Sequence, residues 1–347
     1  MNYYTSANLN STPSIDLVYL WCDGNEPSFK ERRKQAKKKI NINLPEDNAG
    51  DIRYVENNEL LYSLRSVNEN IPWINHIFIV TDNQVPNWLS PHPLITVVDH
   101  KDIIPHELLP TFNAYVIETY LHRITGLSEH FIYANDDMFV MEPLNPDDFF
   151  DNAGFPIIRF AKSQSRLKKD AVKKLIVAEN RTFLTTLQNA WLTFCEKNNT
   201  EIDFDTFDHS FAAYTKTSWQ SVLRKYPEIL TTNTSPFRTY QEIHRLLFSY
   251  EMAHVMNGKF TYINKPNFLN RLLSLFIDRN IWISCRQSIR KIARDIKVCH
   301  PKTVCVNQID NKIQFNKLFN ELFPKPAPWE SPAKKNQDNK MHQSTPI

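Results

Sequence analysis

Glycine is scarce, with 5 in a chain of 347 residues. That scarcity removes the glycine-rich loops of Walker and dinucleotide-binding proteins as a way of holding a nucleotide. Any phosphate bound here has to be met by side chains and metal. Cysteine is equally rare: Cys22, Cys195, Cys285, Cys299 and Cys305 are scattered, odd in number and without a Cys-x-x-Cys spacing. Neither a disulfide framework nor a zinc site is expected from them, and a reducing compartment fits. No uninterrupted apolar run is long enough to span a bilayer, and Met1 to Ser14 lacks the basic-then-apolar order of a signal peptide. The expected location is the cytoplasm, with peripheral contact at the inner face of the cytoplasmic membrane left open. An excess of one charge is missing too. Lys and Arg total 41 against 38 Asp and Glu, and a net charge of +3 does not call for a nucleic-acid partner.

Apolar residues are plentiful: 41% of the chain is hydrophobic and 12% aromatic. That is enough for a sizeable core, and the length predicts two intimately joined folding units or one large domain with insertions. Ile15 to Trp21 is an apolar, β-branched run ending in Cys22-Asp23-Gly24, the pattern of a buried strand feeding a turn. Ligands of α/β folds bind at such carboxyl ends. The runs His76 to Val80, ending in Thr81-Asp82, and Leu94 to Val98, ending in Asp99-His100, repeat it. Leu60, Leu61, Leu64 and Val67 fall at helical spacing, and so do apolar residues of Ala114 to Ile124, ahead of the strand Phe131 to Ala134. Alternating strands and helices predict an α/β fold with a mainly parallel sheet.

Composition shifts divide the chain. Residues 1–14 are expected to be a disordered N-terminus, 15–164 the α/β core, 165–203 an amphipathic helical insertion or lid, and 204–264 a continuation of the core. Residues 265–324 read as a basic amphipathic helical region, and 325–347, polar and rich in proline and lysine, as a disordered tail. Lys265 to Lys297 mixes Leu269, Leu272, Phe276, Ile281 and Trp282 with Arg271, Arg279, Arg290, Lys291, Arg294 and Lys297. Two accounts fit it equally: a face lying on anionic lipid headgroups, or an ordinary core-facing helix pair.

The sharpest local feature is Asn135-Asp136-Asp137, which follows the apolar run from His130 to Ala134 and so sits at the end of a predicted central strand. Adjacent carboxylates there can hold a divalent ion with a preference for hard oxygen, such as magnesium or manganese. By spacing alone, a turn or helix cap accounts for the pair as well.

Longer stretches carry a resemblance. Ile15-Asp-Leu-Val-Tyr-Leu-Trp-Cys-Asp-Gly24 resembles the first conserved region of the Stealth family, with Cys22 in place of the usual valine. The second region is similar from Glu59-Leu-Leu-Tyr-Ser-Leu-Arg-Ser66 through Pro72-Trp73, Ile79 to Pro86, Asp99-His-Lys-Asp102 and Leu109-Pro-Thr-Phe-Asn113 to Phe131-Ile-Tyr-Ala-Asn-Asp-Asp-Met138. A third resembles the chain from His209, with Thr234-Ser-Pro-Phe-Arg238 downstream, and a fourth resembles Val304-Cys-Val-Asn307, where Gln308 replaces the usual aspartate. The similarity runs from about Ile15 to Asp310, less the helical insertion.

The family includes bacterial capsule hexose-1-phosphate transferases and resembles the catalytic subunit of the animal enzyme that marks lysosomal glycoproteins with N-acetylglucosamine-1-phosphate. The resemblance implies a Rossmann-like fold similar to GT-A nucleotide-sugar transferases, a nucleotide diphosphate sugar donor such as UDP-GlcNAc, and a growing polysaccharide or oligosaccharide acceptor. It implies Mg2+ or Mn2+ held by Asp136, Asp137 and Asn307, and catalytic roles for His209, Arg238, Asp137 and Glu118. His209 is the candidate general base, because imidazole titrates near neutral pH. Arg238 offers paired planar donors for phosphate oxygens, and Glu118 organises the site or handles a proton. Asp23, Gly24, Arg65, Thr81, Asp82, Asn113 and Asn135 are the expected donor contacts.

Three functions remain at this point. A sugar-1-phosphate transferase releases nucleoside monophosphate and leaves phosphorus in the product, whereas a metal-dependent GT-A glycosyltransferase releases nucleoside diphosphate and leaves none. The third is a non-enzymatic, membrane-associated binding module in which the motif residues merely stabilise turns; contact with capsule assembly proteins is left open alongside the membrane contact.

Overall fold

A computed structural model describes residues 13–40, 50–161, 169–170, 172–173, 182–207, 209–263, 280–283, 288–306 and 311–331. In chain order the strands are β1 (Ile15–Leu20), β2 (His76–Thr81), β3 (Ile95–Asp99), β4 (His130–Asn135), β5 (Met138–Val140), β6 (Ile158–Ala161), β7 (Thr206–Phe207), β8 (Ala212–Thr215), β9 (Phe260–Ile263), β10 (Asn280–Ile283) and β11 (Thr303–Val306). The main sheet has the order β3-β2-β1-β4-β8. Its first four strands are parallel, and β8 closes the edge antiparallel to β4. The fold is therefore α/β with a mainly parallel sheet, as the alternation of strands and helices predicts.

Burial on both faces explains why β1 reads as a continuous apolar run. Leu17 and Tyr19 face one core cluster with Leu60, Leu64 and Val67 of the helix Glu59–Asn70. Val18 faces the other, with Val116, Trp219 and Leu247 from three further helices. Each such side chain, fully withdrawn from water, contributes about 2 kcal/mol. Since β1 and β4 run side by side with Leu20 opposite Asn135, both strands deliver their following residues to one edge.

At that edge the chain changes sheets. After Asp136-Asp137 it enters β5, which pairs antiparallel with β11; β11 in turn runs parallel to β10. The two aspartates occupy the switch itself, which holds them at a rim instead of inside a layer. A third sheet, β7-β6-β9, lies beyond.

Three expectations are corrected. The helix Phe183–Lys197, expected in an insertion or lid, belongs to the largest core cluster through Leu187, Ala190, Trp191 and Phe194. Its apolar stripe packs against the helix Leu246–His254. Residues 162–168, 171 and 174–181 of that segment lie outside the described residues. Within the basic region, Asn280–Ile283 is a strand because it pairs with β11. The helix Ile289–Cys299 turns Ile292 and Ile296 onto Phe315 and Phe319 and leaves Arg290, Lys291, Arg294 and Lys297 exposed. Its apolar face is thus covered by the protein, while residues 264–279 and 284–287 lie outside the described residues. The tail does not begin at residue 325: Ala327 and Trp329 are buried, and Ser331 donates its amide to the Trp88 carbonyl at 2.7 Å. Residues 1–12 and 332–347 lie outside the described residues. No helix among the described residues is long and apolar enough to cross a membrane.

Candidate active site

A cavity of about 520 Å³ opens at the carboxyl ends of β1 and β4. One wall carries Trp21 and Cys22 after β1, Asn135, Asp136 and Asp137 after β4, and Glu59 at the start of its helix. The facing wall carries Phe207, His209, Arg238, His244 and Arg245, with Tyr115 and Glu118 from the helix Ala114–Thr119. The structure therefore brings Asn135, Asp136, Asp137, Glu118, His209 and Arg238 around one space, although more than 100 residues separate Asp137 from Arg238.

The first wall is acidic. Burial pushes the Asp136 carboxyl well above its usual range, and the charges of Asp137, Glu59 and Glu56 push it further. Burial raises Asp137 too. Glu59 is raised by burial, while Asn57 supports its charge through a backbone amide and through Nδ2 at 2.8 Å. Asp137 Oδ1 is sealed from solvent without a hydrogen-bond donor. Repelling carboxylates with an unpartnered oxygen suit a hard divalent cation. Among the described residues, no group of three or more His, Cys, Asp or Glu could hold a metal by itself. The two carboxylates are hard-oxygen donors of the kind that would suit magnesium or manganese. Asn307, the expected third ligand, lies outside the described residues.

The facing wall is cationic. Arg245 lies over the rings of Tyr133 and Phe207, with its guanidinium carbon 4.7 and 5.0 Å from their centroids, and donates through Nη1 to Tyr214 Oη at 2.8 Å. Its Nε is 3.5 Å from Glu118 Oε1, which also accepts from Tyr133 Oη at 2.8 Å. Burial raises the Glu118 carboxyl against the pull of Arg245. Burial also works against charge on Arg245, and Tyr214, Glu118 and Tyr133 more than offset it. Glu118 is thus the counter-ion of a buried arginine. Arg238 sits 5.2 Å over the Tyr115 ring and has no carboxylate within ion-pair distance among the described residues. Arg53 reaches the same cavity and donates to Tyr240 Oη at 3.0 Å. Burial and the positive charge of Arg238 lower its pKa. Guanidiniums held this close together suit an anion of more than one charge.

His209 does not titrate near neutrality as expected. Burial, then the charge of Arg245, pushes it down to about 4, so the imidazole is neutral at cellular pH, tilted against the Phe207 ring with centroids 4.6 Å apart. His244 lies beside it, buried and stacked on Phe207 at 4.7 Å, with Nδ1 accepting from the Leu246 amide at 2.9 Å.

Several expected donor contacts are committed elsewhere. Arg65 forms two parallel bonds of 2.7 Å with Glu330. Asp82 accepts from Arg32 Nε at 3.0 Å. Asn113 caps its helix by accepting from the Tyr115 amide at 3.1 Å and donates to Glu242 at 2.8 Å. Asp23 accepts from the Asn25 amide at 2.8 Å, closing a turn. Gly24 is required by the backbone of Tyr54, whose carbonyl oxygen would lie 2.1 Å from a Cβ. Thr81 is fully buried at the end of β2. None of these six lines the cavity. Sequence reasoning missed Arg53, Glu59, His100, His244 and Arg245. Of these, His100 and Glu59 carried a signal, the first at a strand end and both inside stretches that resemble the family; the others are assembled from distant segments.

The cavity of this α/β protein thus sets a carboxylate rim opposite arginines and neutral imidazoles. The family description "Stealth protein CR2, conserved region 2" matches residues 53–158. The capsular polysaccharide phosphotransferase LcbA of Neisseria meningitidis is 34% identical over 248 residues, covering 71% of this chain and 66% of that protein. Cps1A of Actinobacillus pleuropneumoniae, also a capsular polysaccharide phosphotransferase, is 34% identical over 284 residues, covering 77% and 75%. The chain belongs to the Stealth family. It spans 66% of LcbA's length, and 41% and 58% of two exopolysaccharide phosphotransferases it also matches. Among solved structures, the galactosyltransferase LgtC with donor and acceptor sugar analogs aligns over 90% of this chain and 98% of that one, at 11% identity and a TM-score of 0.40.

Proposed function

We propose that this chain moves a sugar 1-phosphate, most simply N-acetylhexosamine 1-phosphate, from a nucleoside diphosphate sugar to a hydroxyl of a growing surface polysaccharide. The reaction takes place in the cytoplasm. The observation that carries the reading is the two-sided cavity, with Asp136 and Asp137 on one wall and Arg238, Arg245 and His209 on the other. The phosphotransferase names of the relatives support it.

The acceptor oxygen forms a bond to the phosphorus nearest the sugar, and the bond from that phosphorus to the bridging oxygen breaks. The electron pair leaves with the nucleoside monophosphate, and the acceptor's proton goes to His209. A neutral imidazole can take that proton, and the anionic donor bound beside it raises its basicity. Arg238, with no carboxylate within ion-pair distance among the described residues, donates to the phosphoryl oxygens in transit, as Arg53 does nearby. Asp136 and Asp137 would hold a magnesium or manganese ion, which would supply positive charge to offset that of the departing phosphate.

The test is to incubate the protein with UDP-N-acetylglucosamine and a capsular oligosaccharide and to identify the released nucleotide. UMP with a phosphodiester signal in the phosphorus NMR spectrum of the product is the expected result, and UDP with a phosphorus-free product overturns the reading. Arg238→Ala should lower turnover about 100- to 1000-fold, and Arg238→Lys should recover only part, because an ammonium cannot make the paired contact.

A further inference from the structure

His244 is one of the most deeply placed residues of the cavity wall, 3% exposed. Its ring is clamped, stacked on Phe207 with an interplanar angle of 22° and met edge-on by Tyr115 at 5.6 Å. The Leu246 amide donates to Nδ1, so the neutral ring must carry its proton on Nε2. No group among the described residues accepts from Nε2, and Nε2 is not among the polar atoms sealed from solvent. With one nitrogen fixed as acceptor, the other is a donor that opens on the cavity, where an acceptor can reach it. Burial, then the charges of Arg245, His209 and Arg238, hold the ring neutral. It therefore adds a directed donor to the cationic wall without adding repulsion.

We propose that the Nε2–H of His244 donates to a phosphate oxygen of the bound nucleotide diphosphate, making His244 a donor-binding residue beside Arg238. This rests on the nucleotide-sugar reading of the cavity, but the test reads binding and needs no turnover. Calorimetric titration with UDP in the presence of magnesium, and with uridine as control, compares wild type, His244→Leu and His244→Gln. Gln places an amide N–H near the position of Nε2 and Leu does not. His244→Leu should weaken UDP binding about 10- to 100-fold, the worth of a hydrogen bond to a charged group, with uridine unaffected. His244→Gln should stay within about threefold. Equal losses in both variants, or none in His244→Leu, overturn the proposal. On the wild-type protein, 15N NMR should show His244 protonated at Nε2 and bare at Nδ1 from pH 6 to 8, with the Nε2 signal moving on addition of UDP. A signal that UDP leaves in place overturns it without any variant. Release of UDP in the turnover assay would remove the phosphotransfer reading and leave this binding result standing.

Discussion

Removing one partner of the Arg65–Glu330 pair tests whether Arg65 is a structural residue or a substrate contact. Nε and Nη2 of Arg65 meet the two carboxylate oxygens at 2.7 Å each, with the side chains 11% and 9% exposed. Arg65 Nη1 also donates to the Phe323 carbonyl at 3.0 Å, and Glu330 Oε1 accepts from the Ala327 amide at 2.7 Å. Glu330→Ala leaves a guanidinium and an amide short of an acceptor, and Arg65→Ala leaves a carboxylate without its cation. Breaking a buried pair in this way costs about 3–5 kcal/mol. Slight solvent access points to the lower end, about 3 kcal/mol. For a chain of this size each kcal/mol moves the melting temperature by about 2–4 °C, so a fall of about 6–12 °C is expected from either variant. Arg65→Met with Glu330→Leu should recover part of it, since no orphaned charge remains. Differential scanning calorimetry reads the shift, and the donor KM of each variant is measured well below its melting temperature. Melting within about 2 °C of wild type, or a stable Arg65→Ala with a donor KM raised about tenfold, would refute the structural assignment.

Gly24→Ala should destabilise the fold by about 3 kcal/mol and raise the donor KM, because the new methyl collides with the backbone of Tyr54, a cavity-lining residue; a variant with wild-type melting would show that the contact relaxes freely. Burial pushes His100 down to about 4, while the unfolded imidazole protonates near 6.5. Protons therefore favour the unfolded chain, and the stability His100 contributes is present above pH 6.5 and lost as pH falls toward 4. His100→Gln should flatten the denaturant-measured stability profile across that window by up to about 3 kcal/mol; an unchanged slope would remove the assignment. Chelation with EDTA should abolish turnover and added magnesium or manganese restore it, whereas full turnover in excess chelator would take the cation out of the proposed function.

How much of the site was legible in advance follows from the range of the forces involved. Asp136 and Asp137 could be placed at a rim because an apolar run ending in carboxylates is a local pattern, and parallel pairing carries such strand ends to one edge. His209 and Arg238 were found through resemblance, since nothing in their spacing marks them. Arg65, Asp82 and Asn113 looked equally capable of binding a ligand, but their partners, Glu330, Arg32 and Glu242, are unrelated to them by any sequence period. The residues 325–331 read as tail for the same reason: buried Ala327 and Trp329, backbone bonds to Trp88 and Ser90 and the Arg65–Glu330 pair hold them, all contacts with distant segments that composition does not register.

By itself the sequence determined the α/β class, the order of the strands' polar ends and the chemistry each side chain could offer, because propensity, periodicity and functional group are properties of neighbours along the chain. Only the tertiary structure decided which charges are spent on one another and which are left facing the cavity, and it alone brought His244 and Arg245 opposite the aspartates. Ion pairing and burial depend on distances in space, and chain crossovers set those distances without leaving a local mark.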